Sequence, residues 1–314
     1  MRAVCVLGTG LIGGSLLRAA ARAGRAVWGT AASEPTAAAA VADGFDVTTD
    51  TDAALARAAE ADALVVVCVP LTALEAVLRR VDAVAPTCRL TDAVSVKVPV
   101  ADAVAQFAPR TRFVGGHPMA GTAESGWPAG SADLFTGAAW VVAADDGLDV
   151  EVWRDVAELA WDCGSRVVPA AVDEHDVAVA RISHLPHLFA AVLASVGAGE
   201  QGDDLALALS ASSFADGTRV AGTRPELVLA MCEGNRGALL AAVDDALGRL
   251  GAMRGALAST GGLAATVRSG HEARMRWAST REPLEVPVDL GAPDVFAELR
   301  ELGRRGDVVE PVKR

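Results

Sequence analysis

Short apolar runs rich in valine and leucine alternate with alanine-rich stretches through the first half of the chain. The runs cover residues 3–7, 26–29, 45–48, 63–69, 89–92, 113–115 and 138–143. Strand-sized runs separated by helix-sized segments predict parallel strands joined by crossover helices. The expected fold class is therefore α/β, with an N-terminal Rossmann-type doubly wound sheet covered on both faces. After "SRVVPAAVDEHD" the pattern changes. From about residue 173 to 269 the chain reads as long apolar helices with no comparable strands, and the tail holds one short strand-like run and one charged helix. The pattern places a doubly wound sheet domain at 1–168, an all-helical domain at 169–270 and a short C-terminal extension at 271–314.

Alanine inflates the apolar fraction of 52%, so that fraction alone does not argue for a membrane protein. No uninterrupted apolar segment reaches 18 residues, and the glycines of "MRAVCVLGTGLIGG" fit a nucleotide loop better than a signal peptide. The net charge of −12 leaves no basic face for nucleic acid or an anionic membrane. A small anionic substrate is still compatible, provided a few arginines are focused in one cleft. The cysteines Cys5, Cys68, Cys88, Cys163 and Cys232 are odd in number, widely spaced and without a C-x-x-C pair. They read as buried thiols in a reducing, cytoplasmic compartment.

"VCVLGTGLIGGSL" places Gly8, Gly10 and Gly13 in G-x-G-x-x-G spacing between the first strand and the first helix. Gly8 permits the turn, Gly10 lets a pyrophosphate approach the backbone, and Gly13 allows close helix–strand packing. Leu11 and Ile12 open the helix whose amides face the phosphates. NAD(P) is the expected cofactor. At the end of the second strand, where an acid would bind the ribose hydroxyls, stand Thr30, Ala31, Ala32 and Ser33, with Glu34 just beyond and no arginine. The choice between NAD and NADP stays open on these residues. Val69 and Pro70 end the fourth strand, Ser95 and Lys97 follow the fifth, and His117 follows the sixth in a Gly-rich loop. All lie at carboxyl ends of predicted strands, the ligand edge of an open α/β sheet.

In the helical half, "RISHLPHLFAAVL" carries Ser183, His184 and His187. A metal pair at His184 and His187 lacks an acidic ligand at helical spacing and a nearby cysteine, so no metal is expected. "SSFADGTRVAGTRPEL" sets Asp216 and Arg219 at i, i+3, where the carboxylate could orient the guanidinium toward a substrate carboxylate or simply form a surface ion pair.

Taken in order from residue 4 to about 235, "GTGLIGGSL", "DAVSVK", "GGHPMAGTAESGW", "ISHLPHL" and "FADGTRVAGTRPEL" followed by "CEGN" resemble the successive motifs of prephenate/arogenate dehydrogenases. The resemblance implies a Rossmann domain, a helical dimerisation domain forming a homodimer, and NAD(P)-linked oxidative decarboxylation of a cyclohexadienyl acid. It implies that His117 is the catalytic base with Ser95 its hydrogen-bonding neighbour. Ser183 and His187 become substrate contacts, and Arg219 a carboxylate anchor supported by Asp216. Two positions depart from the pattern: Val228 stands where some members carry Trp, and where some read H-P-x-A-G-T-E this chain has Ala123 in the place of the Glu, with Glu124 one step later. The tail is short for an ACT regulatory domain. Rival readings are arogenate or an amino-substituted prephenate as substrate, a β-hydroxyacid dehydrogenase, and a non-catalytic dinucleotide sensor.

Overall fold

Within β1 (Val4–Leu7) the side chains alternate: Val4 and Val6 join the core on one face of the sheet, Cys5 and Leu7 the core on the other. Both faces are buried, which is why the strands read as continuous apolar runs. The computed structural model describes residues 1–122, 124–199 and 204–311. The chain continues through α1 (Leu11–Arg22), β2 (Val27–Thr30), α2 (Glu34–Ala42), β3 (Val47–Thr48), α3 (Thr51–Glu60) and β4 (Leu64–Val67). Next come α4 (Leu74–Val84), β5 (Arg89–Asp92), α5 (Val98–Phe107) and β6 (Arg112–Phe113). These six strands form one sheet in the order β3-β2-β1-β4-β5-β6, every neighbouring pair parallel. The order reverses between β1 and β4, which opens a crevice at their carboxyl ends.

The seventh run departs from the parallel pattern. After β6 the chain enters a second sheet through β7 (Gly116–Pro118) and β8 (Ala139–Ala143), followed by α6 (Val150–Asp162) and β9 (Arg166–Ala170). β7 and β8 are antiparallel, β8 and β9 parallel. The 138–143 run thus belongs to this mixed sheet, and His117 is the central residue of a strand, opposite Val141, rather than part of a loop. Gly116 makes the transfer feasible: a Cβ there would lie 2.8 Å from the Asp92 carbonyl.

Residues 177–223 and 235–284 form a separate helical unit. Its elements include the end of α7 (Val172–Val179), a π-helical turn (Ala180–His184), α8 (Leu185–Ala198), α9 (Asp204–Ala208) and α10 (Ser212–Thr218). A 3-10 turn (Arg219–Gly222), α12 (Arg236–Leu257) and α13 (Ala264–Ala278) complete it, while α11 (Pro225–Gly234) is part of the first unit. Pro186, in the first turn of α8, has no N–H to donate, which accounts for the widened turn before it. The run Val172–Ala198 is long and apolar enough to cross a bilayer by length and hydropathy, with 22% of its apolar window buried. Ile182, Phe189, Val192 and Val196 form an exposed stripe along it.

The C-terminal tail completes the second sheet. β10 (Glu285–Val286), α14 (Val295–Arg304) and β11 (Val308–Val309) give the strand order β10-β11-β9-β8-β7. α14 buries Val295, Phe296, Leu299 and Leu302, and only glycine fits at Gly303, where a Cβ would lie 1.8 Å from the Pro169 carbonyl. The first unit therefore comprises residues 1–176, 224–234 and 285–314, not an uninterrupted N-terminal segment. Hydrophobic periodicity marks where helices begin and end; it does not tell which unit a short segment packs against.

Candidate active site

The turn after β1 is built by its glycines. Gly8 has φ +100°, and a Cβ on it would sit 2.7 Å from the Cys68 carbonyl; one on Gly13 would sit 2.0 Å from the Gly8 carbonyl. At Gly10 a Cβ would meet no protein atom within 4 Å, because that position borders open cavity. Gly10 is also the N-cap of α1 and offers no side chain to the first amides of the helix. Those donors are oriented for an anion.

A cavity of about 350 Å³ lies at this edge of the first unit. Gly10, Leu11 and Ile12 form one wall, Cys68, Val69 and Pro70 another, and residues 93–96, including Ser95, a third. His117 and Pro118 border it, as do Arg224, Leu227, Ala230 and Met231 from the segment around α11. Thr122, Glu124, Ser125 and Gly126 complete the rim. That loop is anchored by Trp127, whose Nε1 donates to Asp43 at 2.8 Å beneath the Arg18 guanidinium, 3.6 Å from the ring centroid. Ala123 lies outside the described residues. Burial pushes the Cys68 thiol up, so this cavity thiol is not a ready nucleophile.

Beneath His117 lies a buried polar layer. Its Nδ1 is 2.8 Å from Nε2 of His175, whose own Nδ1 is 2.8 Å from Oδ1 of Asp176. Asp176 also accepts the backbone amides of Lys97 and Val98. Burial works to raise this carboxyl, but the hydrogen bonds from His175, Lys97 and Val98 outweigh it and hold it below the ordinary range. Lys97, expected at the ligand edge, is instead fully buried. Its ammonium pairs with Asp92 and donates to the Gly116 carbonyl, while Asp92 accepts the Gly116 amide, so the pair clamps the start of β7. Burial pushes Asp92 up and Lys97 down, and each partner opposes the other's shift.

The structure thus brings together Gly10, Leu11, Ile12, Val69, Pro70, Ser95 and His117 around one cavity. Thr30 is buried at the end of β2 and accepts the Gly8 amide through its carbonyl. Ser33 bonds Thr36, and Glu34 accepts from Thr49 at 2.6 Å. Ser183, His187, Asp216 and Arg219 belong to the helical unit and are not among the cavity's lining residues. There, Nδ1 of His187 bonds the Ser183 carbonyl, and His184 meets Asn235 at 3.2 Å. Among the described residues no ion pair joins Asp216 to Arg219, because α10 ends at Thr218 and Arg219 opens the 3-10 turn. Val228 lies in α11. Sequence reasoning missed His175, Asp176 and Arg224. "EHD" held a visible signal for the first two, an acid beside one of only five histidines, but its link to His117 spans 58 residues.

Chemically, a pyrophosphate seat facing a hydrogen-bonded imidazole defines a nicotinamide-nucleotide dehydrogenase. Residues 14–169 match the family described as prephenate dehydrogenase, nucleotide-binding domain, and residues 171–262 match prephenate dehydrogenase, dimerization domain. A cyclohexadienyl dehydrogenase of Zymomonas mobilis is 32% identical over 209 residues, 65% of this chain and 70% of that protein. A Corynebacterium glutamicum protein solved as a presumed prephenate dehydrogenase superposes with a TM-score of 0.92, at 44% identity over 98% of both chains. For Synechocystis arogenate dehydrogenase the TM-score is 0.73 at 29% identity, over 88% of this chain and 99% of that one. The chain belongs to the prephenate dehydrogenase family and is an NAD(P)-dependent dehydrogenase.

Proposed function

We propose that the enzyme oxidises and decarboxylates prephenate to 4-hydroxyphenylpyruvate, the reaction that serves tyrosine synthesis. The observation that carries this reading is that His117 lines the same cavity as the glycine turn. The turn from Gly8 to Gly13, with Thr30, Ser33, Val69 and Pro70, would hold the dinucleotide, and the uncapped α1 amides and the open space at Gly10 fit its pyrophosphate. When bound, NAD(P) accepts the hydride from C4 of the substrate ring. His117 takes the proton of the C4 hydroxyl as that hydride departs, leaving a dienone. The ring carboxylate then leaves as CO₂, its bonding pair makes the ring aromatic, and the former hydroxyl oxygen takes the proton back from His117. Ser95 lines the same cavity as His117 and is assigned as its hydrogen-bonding neighbour. Aromatisation drives the second half, so the protein need only position base, ring and carboxylate.

The substrate is anionic, and two arginines are candidates to receive it. Arg219 is the one the family motif designates, with Asp216, Ser183 and His187 as companions on the substrate side. Arg224 borders the cavity and has no ion-pair partner among the described residues. Arg219→Lys keeps the charge but loses the guanidinium fork, and should raise KM for substrate at least tenfold, about 1.4 kcal/mol, with cofactor affinity intact. An unchanged KM transfers the role to Arg224, whose Lys variant then carries the effect.

One observation favours a second reading. Glu124 is the acid among the described lining residues, and a carboxylate there suits the side-chain ammonium of arogenate. Assaying NADH and NADPH formation with prephenate and arogenate in parallel separates the two. The expected result is turnover of prephenate, with the two cofactors differing less than about a hundredfold in kcat/KM, under about 2.7 kcal/mol, since residues 30–33 carry neither acid nor arginine. The free cysteines and acidic charge support a cytoplasmic location without nucleic-acid or membrane partners, and the match to a dimerization domain supports a homodimer.

A further inference from the structure

A base needs its lone pair on the right nitrogen, and the protons beneath His117 can be counted. Asp176 sits at the N-terminus of α5, where its Oδ1 accepts the Lys97 amide at 2.8 Å and its Oδ2 the Val98 amide at 2.9 Å. Two backbone donors at a helix N-terminus keep this carboxyl an acceptor. An acceptor facing Nδ1 of His175 at 2.8 Å requires that nitrogen to carry the hydrogen. A neutral imidazole has a single N–H, so Nε2 of His175 is bare and accepts. The hydrogen between the two rings, 2.8 Å apart at their nitrogens, then belongs to Nδ1 of His117. That leaves the His117 lone pair on Nε2. The rings meet edge-on at 76° rather than stacked, and His175 and Asp176 are each 3% exposed, so water does not compete for these contacts.

We infer that His175 and Asp176 are positioning residues that lock His117 in the Nδ1–H tautomer with Nε2 as proton acceptor. The inference rests on His117 being the base. The opposite arrangement would set a bare Nδ1 lone pair of His175 against the Asp176 carboxylate. Only a second proton on His175 relieves that repulsion; His175 then donates on both sides, the hydrogen of His117 moves to Nε2, and the base is disabled.

Two measurements test the lock. In wild-type protein labelled with ¹⁵N-histidine, imidazole shifts report the tautomer directly, with His117 and His175 assigned by difference from His117→Asn and His175→Gln. Both should show a protonated Nδ1 and a bare Nε2 near pH 8. A His117 carrying its hydrogen on Nε2 overturns the inference, whatever the activity. In the second measurement, His175→Leu removes the acceptor and should lower kcat by about 10²-fold or more with cofactor affinity unchanged. His175→Gln offers an amide oxygen to His117 and an amide N–H to Asp176, and should stand at least tenfold above His175→Leu. Equal kcat for Leu and Gln variants, both folded and binding cofactor, also overturns it. If the Leu variant fails to fold, the tautomer reading alone decides. Absence of turnover with prephenate and arogenate alongside the expected tautomers would count against the proposed reaction and not against the lock.

Discussion

His117 and Lys97 make the residue-scale point between them. Both are polar residues that the sequence sets just past strand ends, yet one sits within β7 and borders the cavity and the other is fully buried on Asp92 and Gly116. The difference decides what substitution does. His117→Asn should reduce kcat by roughly 10²–10⁴-fold, the worth of a positioned general base, and leave dinucleotide affinity within about twofold. Steady-state rates with equilibrium cofactor titration read both numbers, and near-normal kcat would remove the assignment. Local sequence made His117 a candidate. It did not give its partners, because the neighbour that bonds its ring is on α7 and the ion pair that fixes its strand starts on β5.

At the scale of elements, the turn between β1 and α1 separates glycines that the fold needs from one the ligand needs. Gly10→Ala adds a Cβ that touches no protein atom, so stability should stay within about 0.5 kcal/mol while dinucleotide Kd rises at least tenfold. Gly13→Ala drives a Cβ to 2.0 Å from the Gly8 carbonyl, so a melting curve should fall together with cofactor binding. An unaffected Kd for Gly10→Ala would place the pyrophosphate elsewhere. Helix α6 supplies a pH test. Asp149 caps it by accepting the Glu151 and Val152 amides, and the Arg112 guanidinium at 2.5 Å holds its carboxyl below the usual range. A carboxyl depressed in the folded state contributes stability above its unfolded value, about 3.9, and loses it as pH falls through the folded value. Asp149→Asn keeps a capping side chain but drops the charge, so it should cost about 0.5–1 kcal/mol at pH 7, and the gap to wild type should narrow steadily as pH falls below about 3.9. Urea melts at pH 7 and at several values below about 3.9 check this; a gap that does not narrow across that range refutes the ion-pair account.

For the whole molecule, the helical unit leaves apolar surface that its own packing does not cover. Val192 is 61% and Val196 73% exposed on α8, in line with Ile182 and Phe189. Such a stripe on a matched dimerisation domain calls for a second copy of the chain. The double substitution Val192→Asp, Val196→Asp should convert a dimer to monomer in sedimentation at micromolar concentration. A wild-type chain that sediments as a fully active monomer contradicts the assembly.

What the sequence by itself determined was local or periodic. The β/α alternation through the sixth strand, the strand-turn-helix context of Gly8, Gly10 and Gly13, and the run of helices after residue 172 all depend on neighbours a few positions apart, where spacing and side-chain type decide the outcome. Only the tertiary structure decided that β8 leaves the parallel sheet, that His117 belongs to an edge strand, and that residues 285–311 close the second sheet against β9. It also placed Arg224 on the cavity wall, left Asp216 unpaired with Arg219, and joined His117 to His175 and Asp176. Each of these rests on contacts between distant segments, and their energy comes from excluding water around partners that periodicity does not name.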